Sequence, residues 1–74
     1  MSAKNAFSDE GILDRDIRSG GSQLGIGRRF TYTMTEHEID YAVAVGVDLL
    51  GTGLSWGQMA DAGIAAVKAQ REGK

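Results

Sequence analysis

The chain has 74 residues and a mass of 7.9 kDa, with a formal net charge of −2 at neutral pH and 42% hydrophobic residues. This length allows one small domain and excludes a multidomain enzyme, since domains typically contain roughly 100–150 residues. The absence of Cys excludes disulfides and thiolate zinc sites as sources of stability. A core this small barely outweighs the entropy cost of folding, so we expect support from self-association or from a larger protein.

We expect a cytoplasmic protein with no membrane contact. The sequence has no apolar run of about 18 residues, and its first residues lack the hydrophobic stretch of a secretory signal. Its charges are unevenly distributed, because residues 30–67 contain five acids and no Lys or Arg. Nucleic-acid-binding proteins usually concentrate positive charge on one face, so this acidic stretch disfavours a nucleic-acid partner.

Residues 1–22 are predicted to form a flexible arm. They are polar and end in Ser-Gly-Gly-Ser at 19–22, which has the composition of a joint. Ser8 is placed to cap a short amphipathic helix in this arm, although a helix of that length does not persist alone in water. The apolar residues of this helix are Ile12, Leu13 and Ile17. The remaining residues, 23–74, are then the folded domain.

A period-two pattern from Leu24 to Met34 predicts one short strand at residues 28–34, which are rich in Phe, Tyr and Thr. One face of this strand carries Phe30, Tyr32 and Met34, and the other carries Arg29, Thr31 and Thr33. A single strand cannot satisfy its own backbone groups. It therefore has to pair with the arm, with a symmetry mate or with another chain.

Two helices are predicted at residues 36–50 and 56–71, joined by a tight Gly-Thr-Gly turn. Each begins with a capping box, in which Thr35 or Ser55 is followed three residues later by Glu or Gln. The expected fold is therefore α+β and mainly α. It consists of the flexible arm, one short strand and a capped two-helix hairpin.

The first predicted helix is apolar around roughly 240° of its circumference, whereas a surface helix needs about 100°. Tyr41 and Val45 supply the surplus, and they are covered either by another chain or by the arm folding back. Trp56 is either a core residue beneath this helix or an exposed anchor. We expect another chain to bind here. The predicted protein interface comprises Tyr41, Val45, Leu49 and Trp56.

No group of residues indicates catalysis. His37 is the single histidine, and we interpret it as a solvated residue of the first helical turn beside Glu36 and Glu38. Gly25-Ile26-Gly27 begins like a dinucleotide-binding fingerprint, but it lacks the third glycine and precedes the predicted strand. We therefore expect no enzyme activity, no cofactor, no metal and no small-molecule substrate.

The order of strand, helix, Gly-x-Ser turn and helix over residues 28–67 resembles the ribbon-helix-helix regulators. The segments that carry the resemblance are Arg28-Arg29-Phe30-Thr31-Tyr32-Thr33-Met34-Thr35 and Gly53-Leu54-Ser55-Trp56-Gly57-Gln58-Met59. The resemblance implies an intertwined dimer whose paired strands enter the DNA major groove. The nucleic-acid contacts that it implies are Arg28, Arg29, Thr31, Thr33 and Ser55.

Two functional hypotheses follow. The favoured one is a small non-enzymatic protein-binding module that forms a homodimer or docks on a larger protein. Accessory, inhibitory and assembly components of phages and other mobile elements fit this description. The alternative is a ribbon-helix-helix-like dimeric DNA-binding transcriptional regulator.

Overall fold

The computed structural model describes residues 8–22 and 26–73, and over these residues the chain forms four helices. They are α1 (Asp9–Arg18), α2 (Ile26–Tyr32), α3 (Glu36–Val47) and α4 (Trp56–Glu72). Residues 1–7 of the predicted arm, residues 23–25 at the start of the period-two pattern and Lys74 lie outside the described part.

The predicted strand at residues 28–34 is wrong. Ile26–Tyr32 is the helix α2, and the described residues contain no strand, so this part of the chain is all-helical rather than α+β. A helix satisfies its own backbone hydrogen bonds, whereas this segment has no described strand to pair with. The burial of the side chains also agrees with a helix rather than with the predicted strand, because Thr31 is buried and Tyr32 is 74% exposed. A strand would instead have placed Tyr32 on the same face as Met34, which is buried.

The short helix of the predicted arm is part of the core. It begins after Ser8, whose hydroxyl accepts a hydrogen bond from the backbone N–H of Gly11. The helix α1 packs against both α3 and α4. Leu13 and Ile17 are completely buried there. The two long helices thus share one core with α1.

The turn after α1 is held against α4 by one carboxylate. Asp61 accepts hydrogen bonds from the backbone N–H and the hydroxyl of Ser22. Gly21 precedes this contact with a φ of +64°, which favours glycine. Gly57 lies beneath the turn, where an added Cβ would be 3.2 Å from the Cβ of Ser22. The Ser-Gly-Gly-Ser sequence therefore forms a specific turn.

The helices α3 and α4 form the predicted capped hairpin. Both capping boxes are present, one at Thr35 and one at Ser55. The turn between the helices contains Gly51 and Gly53 with φ values of +84° and +89°, a conformation that favours glycine. The first helix of the hairpin ends at Val47, three residues before its predicted end.

Two glycines allow close packing of the helices. An added Cβ at Gly63 would overlap the carbonyl oxygen of Ala42. An added Cβ at Gly46 would lie 3.1 Å from both methyl carbons of Leu13 and 3.4 Å from the carbonyl oxygen of Met59. These contacts show that α3 and α4 are antiparallel, because Ala42 lies beside Gly63 whereas the later residue Gly46 lies beside the earlier residue Met59. The buried core comprises Leu13, Ile17, Met34, Ile39, Ala42, Val43, Met59, Ala60, Ile64 and Val67.

Replacing Gly63 by Ala is expected to lower the free energy of unfolding by about 1–3 kcal/mol, because the new methyl group forces α3 and α4 apart. Urea denaturation followed by circular dichroism measures this change. Without such a contact, Gly→Ala inside a helix raises stability by roughly 0.5–1 kcal/mol. An increase would therefore contradict the close approach. Ala65→Gly on the exposed side of α4 is the control for helix propensity alone.

Replacing Leu13 by Ala is expected to lower the free energy of unfolding by about 2–5 kcal/mol, because it leaves a cavity between α1 and the hairpin. Ile12→Ala, at a half-buried neighbour, is the matched control and should have a smaller effect. Thermal denaturation of both variants makes the comparison. Equal and negligible effects would show that α1 is a detached arm.

Candidate protein-binding site

Four large hydrophobic side chains are exposed within the described residues. The exposed fractions are 74% for Tyr32, 39% for Tyr41, 37% for Leu50 and 39% for Leu54. Tyr32 lies at the end of the short helix α2, and the two leucines lie in the turn between α3 and α4. Tyr41 lies in the middle of α3. A rigid helix presents such a side chain in one geometry, which favours a defined interface.

Two sides of α3 are covered and a third is open. Gly46 lies between Leu13 of α1 and Met59 of α4, and Ala42 lies against Gly63 of α4. Successive residues of an α-helix are rotated by about 100° around the helix axis. Around α3, this rotation places Ala42 next to Gly46, Val45 beyond Ala42, and Tyr41 beyond Val45. Val45 is half-buried and Tyr41 is exposed. The described part of the arm thus packs against α3 on a side other than that of Tyr41.

Small side chains of α4 continue this open surface. Gly63 is the residue of α4 that faces α3. Asp61, whose carboxylate binds the turn after α1, lies to one side of Gly63 around the helix axis. Ala62 and Ala66 lie to the other side. Because α3 and α4 are antiparallel, the alanine flank is on the same side of the hairpin as Tyr41. Both alanines are half-buried. We call this uncharged surface the outer face; it consists of Tyr41, Val45, Ala62 and Ala66.

The four residues predicted as a protein interface do not all lie on the outer face. Tyr41 and Val45 do, since they are one helical turn apart on α3. Leu49 and Trp56 are half-buried and pack against the core. Trp56 therefore packs against the core and is also partly accessible. The sequence analysis did not assign Ala62 and Ala66 to the interface, although the small residues of α4 are visible in the sequence.

Among the described residues that the ribbon-helix-helix resemblance assigns to DNA contacts, one is buried and the others are exposed. Thr31 is buried, and its hydroxyl donates to the backbone carbonyl oxygen of Arg18. Thr33 is exposed and accepts a hydrogen bond from Arg71. Arg29 is exposed on α2, while the side chain of Arg28 lies outside the described part.

The fifth of those residues, Ser55, caps α4. Its hydroxyl accepts a hydrogen bond from the backbone N–H of Gln58 and is therefore engaged within the chain. With no strand in the described residues, the paired-strand insertion that the resemblance implies has no structural basis there.

A cation cluster at the carboxyl end of α4 holds α2 and α3 together. The Arg71 guanidinium donates to both carboxylate oxygens of Glu38, at 2.7 and 2.8 Å, and to the backbone carbonyl oxygen of Thr33 at 3.0 Å. The ring of Phe30 lies 4.8 Å from this guanidinium and 5.3 Å from the ammonium of Lys68. Sequence reasoning missed this cluster, because no local pattern links residues so far apart.

A second arginine joins α1 to α3. Arg18 donates to Asp14 on its own helix and to both carboxylate oxygens of Glu36. Glu36 first and then Asp14 raise the pKa of Arg18. Two of the acids at the start of α3 are thus engaged by arginines.

The described residues contain no group of three or more His, Asp or Glu side chains placed to hold a metal ion. His37 is exposed on the first turn of α3. Among the described helices, none is long and apolar enough to cross a membrane.

No protein-family profile, no curated protein and no solved structure matches this chain. The geometry of the outer face is therefore the basis for a functional proposal.

The contact between Glu38 and Arg71 predicts a specific acid sensitivity. Hydrogen bonds from Arg71 and from the backbone N–H of Thr35 lower the pKa of Glu38 from 4.5 to about 2. Because the pKa of Glu38 is lower in the folded state, ionised Glu38 stabilises the fold above pH 4.5. This contribution is lost as the pH falls toward 2. Glu38→Gln should therefore reduce the fall in melting temperature over this pH interval.

The control for this prediction is Glu72→Gln, at an exposed carboxylate near the end of α4. It should leave the pH profile close to that of the unmodified chain. Thermal denaturation in a pH series gives the three profiles. If the Glu38→Gln profile has the same slope as that of the unmodified chain, the ion pair does not contribute to stability.

Proposed function

We propose that the chain is a small non-enzymatic protein-binding module that acts through the outer face. The single observation that carries this proposal is the position of Tyr41, which is 39% exposed in the middle of a helix whose buried side packs against α1 and α4. Tyrosine is enriched at the centres of protein interfaces, because it contributes a large apolar area at a low entropy cost.

The charge distribution supports a protein as the partner. The outer face carries no charged side chain, and interface cores are depleted of charge. Arg18 forms an ion pair with Glu36, and Arg71 forms one with Glu38. A phosphate backbone would need unpaired cations grouped on one face. We therefore favour the protein-binding hypothesis and do not propose DNA binding.

The size of the chain supports an accessory role. A single core of ten buried hydrophobic residues holds the described helices together. A domain of this size gains stability when a partner covers further apolar surface. The partner is a second copy of the chain or a larger protein, and the module then serves as an accessory, inhibitory or assembly component.

Replacing Tyr41 and Val45 together by Ser is expected to weaken association at least about tenfold, which corresponds to about 1.4 kcal/mol or more. Tyr32→Ser is the matched control, because Tyr32 is the more exposed tyrosine and belongs to α2, whereas the outer face consists of residues of α3 and α4. Light scattering over a concentration series measures self-association. Circular dichroism verifies that each variant keeps its helices.

A photo-crosslinking phenylalanine analogue at position 41 tests binding to a different protein in the cells that make this chain. A discrete adduct from position 41 but not from position 32 supports the proposal. A chain that is monomeric at all concentrations and gives no adduct from position 41 contradicts it.

A further inference from the structure

Four exposed residues form a stripe along α3 and its C-cap residue. His37, Tyr41, Ala44 and Asp48 follow one another at intervals of four, three and four residues, which places them on one side of the helix. All four are exposed. The stripe is about 16 Å long, at a rise of about 1.5 Å per residue. It contains Tyr41 of the outer face and runs beside Val45.

The stripe is symmetric about the point midway between Tyr41 and Ala44. When two copies of α3 lie antiparallel across a two-fold axis at this point, His37 of one copy lies opposite Asp48 of the second copy. Tyr41 then lies opposite Ala44 of the second copy. Each contact occurs twice, because a two-fold interface uses the same surface on both chains.

Both kinds of contact are complementary. A histidine side chain donates an N–H to a carboxylate, so His37 and Asp48 form a favourable pair across the axis. The tyrosine ring meets an alanine, which allows the two helices to approach without a clash. Within the described residues, no hydrogen bond or ion pair engages the side chain of either His37 or Asp48, so both are available.

A parallel arrangement lacks this complementarity. It would place His37 opposite His37 and Asp48 opposite Asp48 of the second copy, and two carboxylates facing each other repel. It would also place the two Tyr41 rings at the same level. The charge and size pattern of the stripe therefore favours the antiparallel arrangement.

We propose that two copies of this chain associate through antiparallel α3 helices, with His37 paired to Asp48 and Tyr41 packed on Ala44 across a two-fold axis. This inference rests on the proposed function and deepens it by naming a second copy as the partner. Three helical turns make a small interface, so we expect a dissociation constant on the order of 10 μM.

A charge exchange tests the register. His37→Asp places two like charges at each end of the interface, and Asp48→Lys removes the favourable carboxylate. Each single variant should weaken the dimer about tenfold or more. The double variant His37→Asp/Asp48→Lys restores opposite charges at both ends and should return the dissociation constant to within a few-fold of the original.

An equimolar mixture of the two single variants provides a second measurement. In a heterodimer of these chains, the introduced aspartate faces the introduced lysine at one end, and the natural His37–Asp48 pair remains at the other. We therefore expect the mixture to dimerise more tightly than either variant alone. Analytical ultracentrifugation from about 1 to 500 μM measures the series. This range brackets the dissociation constant expected for a small interface.

The substitutions are compatible with the folded monomer. Aspartate in the first turn of a helix and lysine at its carboxyl end are both favoured by the helix dipole. Matched controls away from the stripe are Arg29→Asp on α2 and Glu72→Lys at the end of α4, both at exposed positions. These controls change the net charge in the same directions and should leave dimerisation within a few-fold of the original.

The outcomes separate this inference from the proposed function. Loss of the dimer in both single variants with recovery in the double variant supports the antiparallel register. A dimer that Tyr41→Ser weakens but that the charge exchange does not restore overturns the register and leaves the proposed function standing. A monomer up to about 500 μM overturns the inference, and crosslinking from position 41 to another protein then decides the proposed function.

Discussion

The close contact between α3 and α4 is the constraint on which the arrangement of this protein depends. The backbone of Ala42 approaches Gly63 so closely that no side chain fits between them. This contact fixes the relative rotation of the two helices, because only one face of each can approach the other at that distance. The same rotation directs Tyr41 and Val45 away from α1. The candidate site is therefore a consequence of how the core packs.

The helix α1 completes the core without closing the surface. The methyl groups of Leu13 fill the space above Gly46, where the hairpin lacks a side chain. The carboxylate of Asp61 then holds Ser22 and the turn that follows α1. The apolar surface of α3, which is wider than one neighbouring helix can cover, therefore has two parts. One part is buried by α1, and the part that contains Tyr41 remains exposed.

Two arginines organise the ends of the described helices. Arg18 joins α1 to Glu36, and Arg71 joins α4 to Glu38. These pairs are exposed, so each contributes modestly to stability, and their main effect is to set where α2 and the start of α3 lie. The helix α3 itself contains no Lys or Arg, so these arginines reach it only at its first turn.

The sequence by itself determined the features that arise from local chemistry. The capping boxes at Thr35 and Ser55, the glycine turn and the two hairpin helices follow from hydrogen bonds between residues close in the chain. Helical spacing also predicted that Tyr41 exceeds one buried stripe, and the tertiary structure leaves this side chain 39% exposed. Residues 28–34 alternate like a strand, yet only the tertiary structure decided that they form a helix. A strand needs a partner for its backbone, and the described part of the chain offers none. The burial of Leu13 and the role of Arg71 likewise depend on contacts between distant residues, which no local pattern encodes.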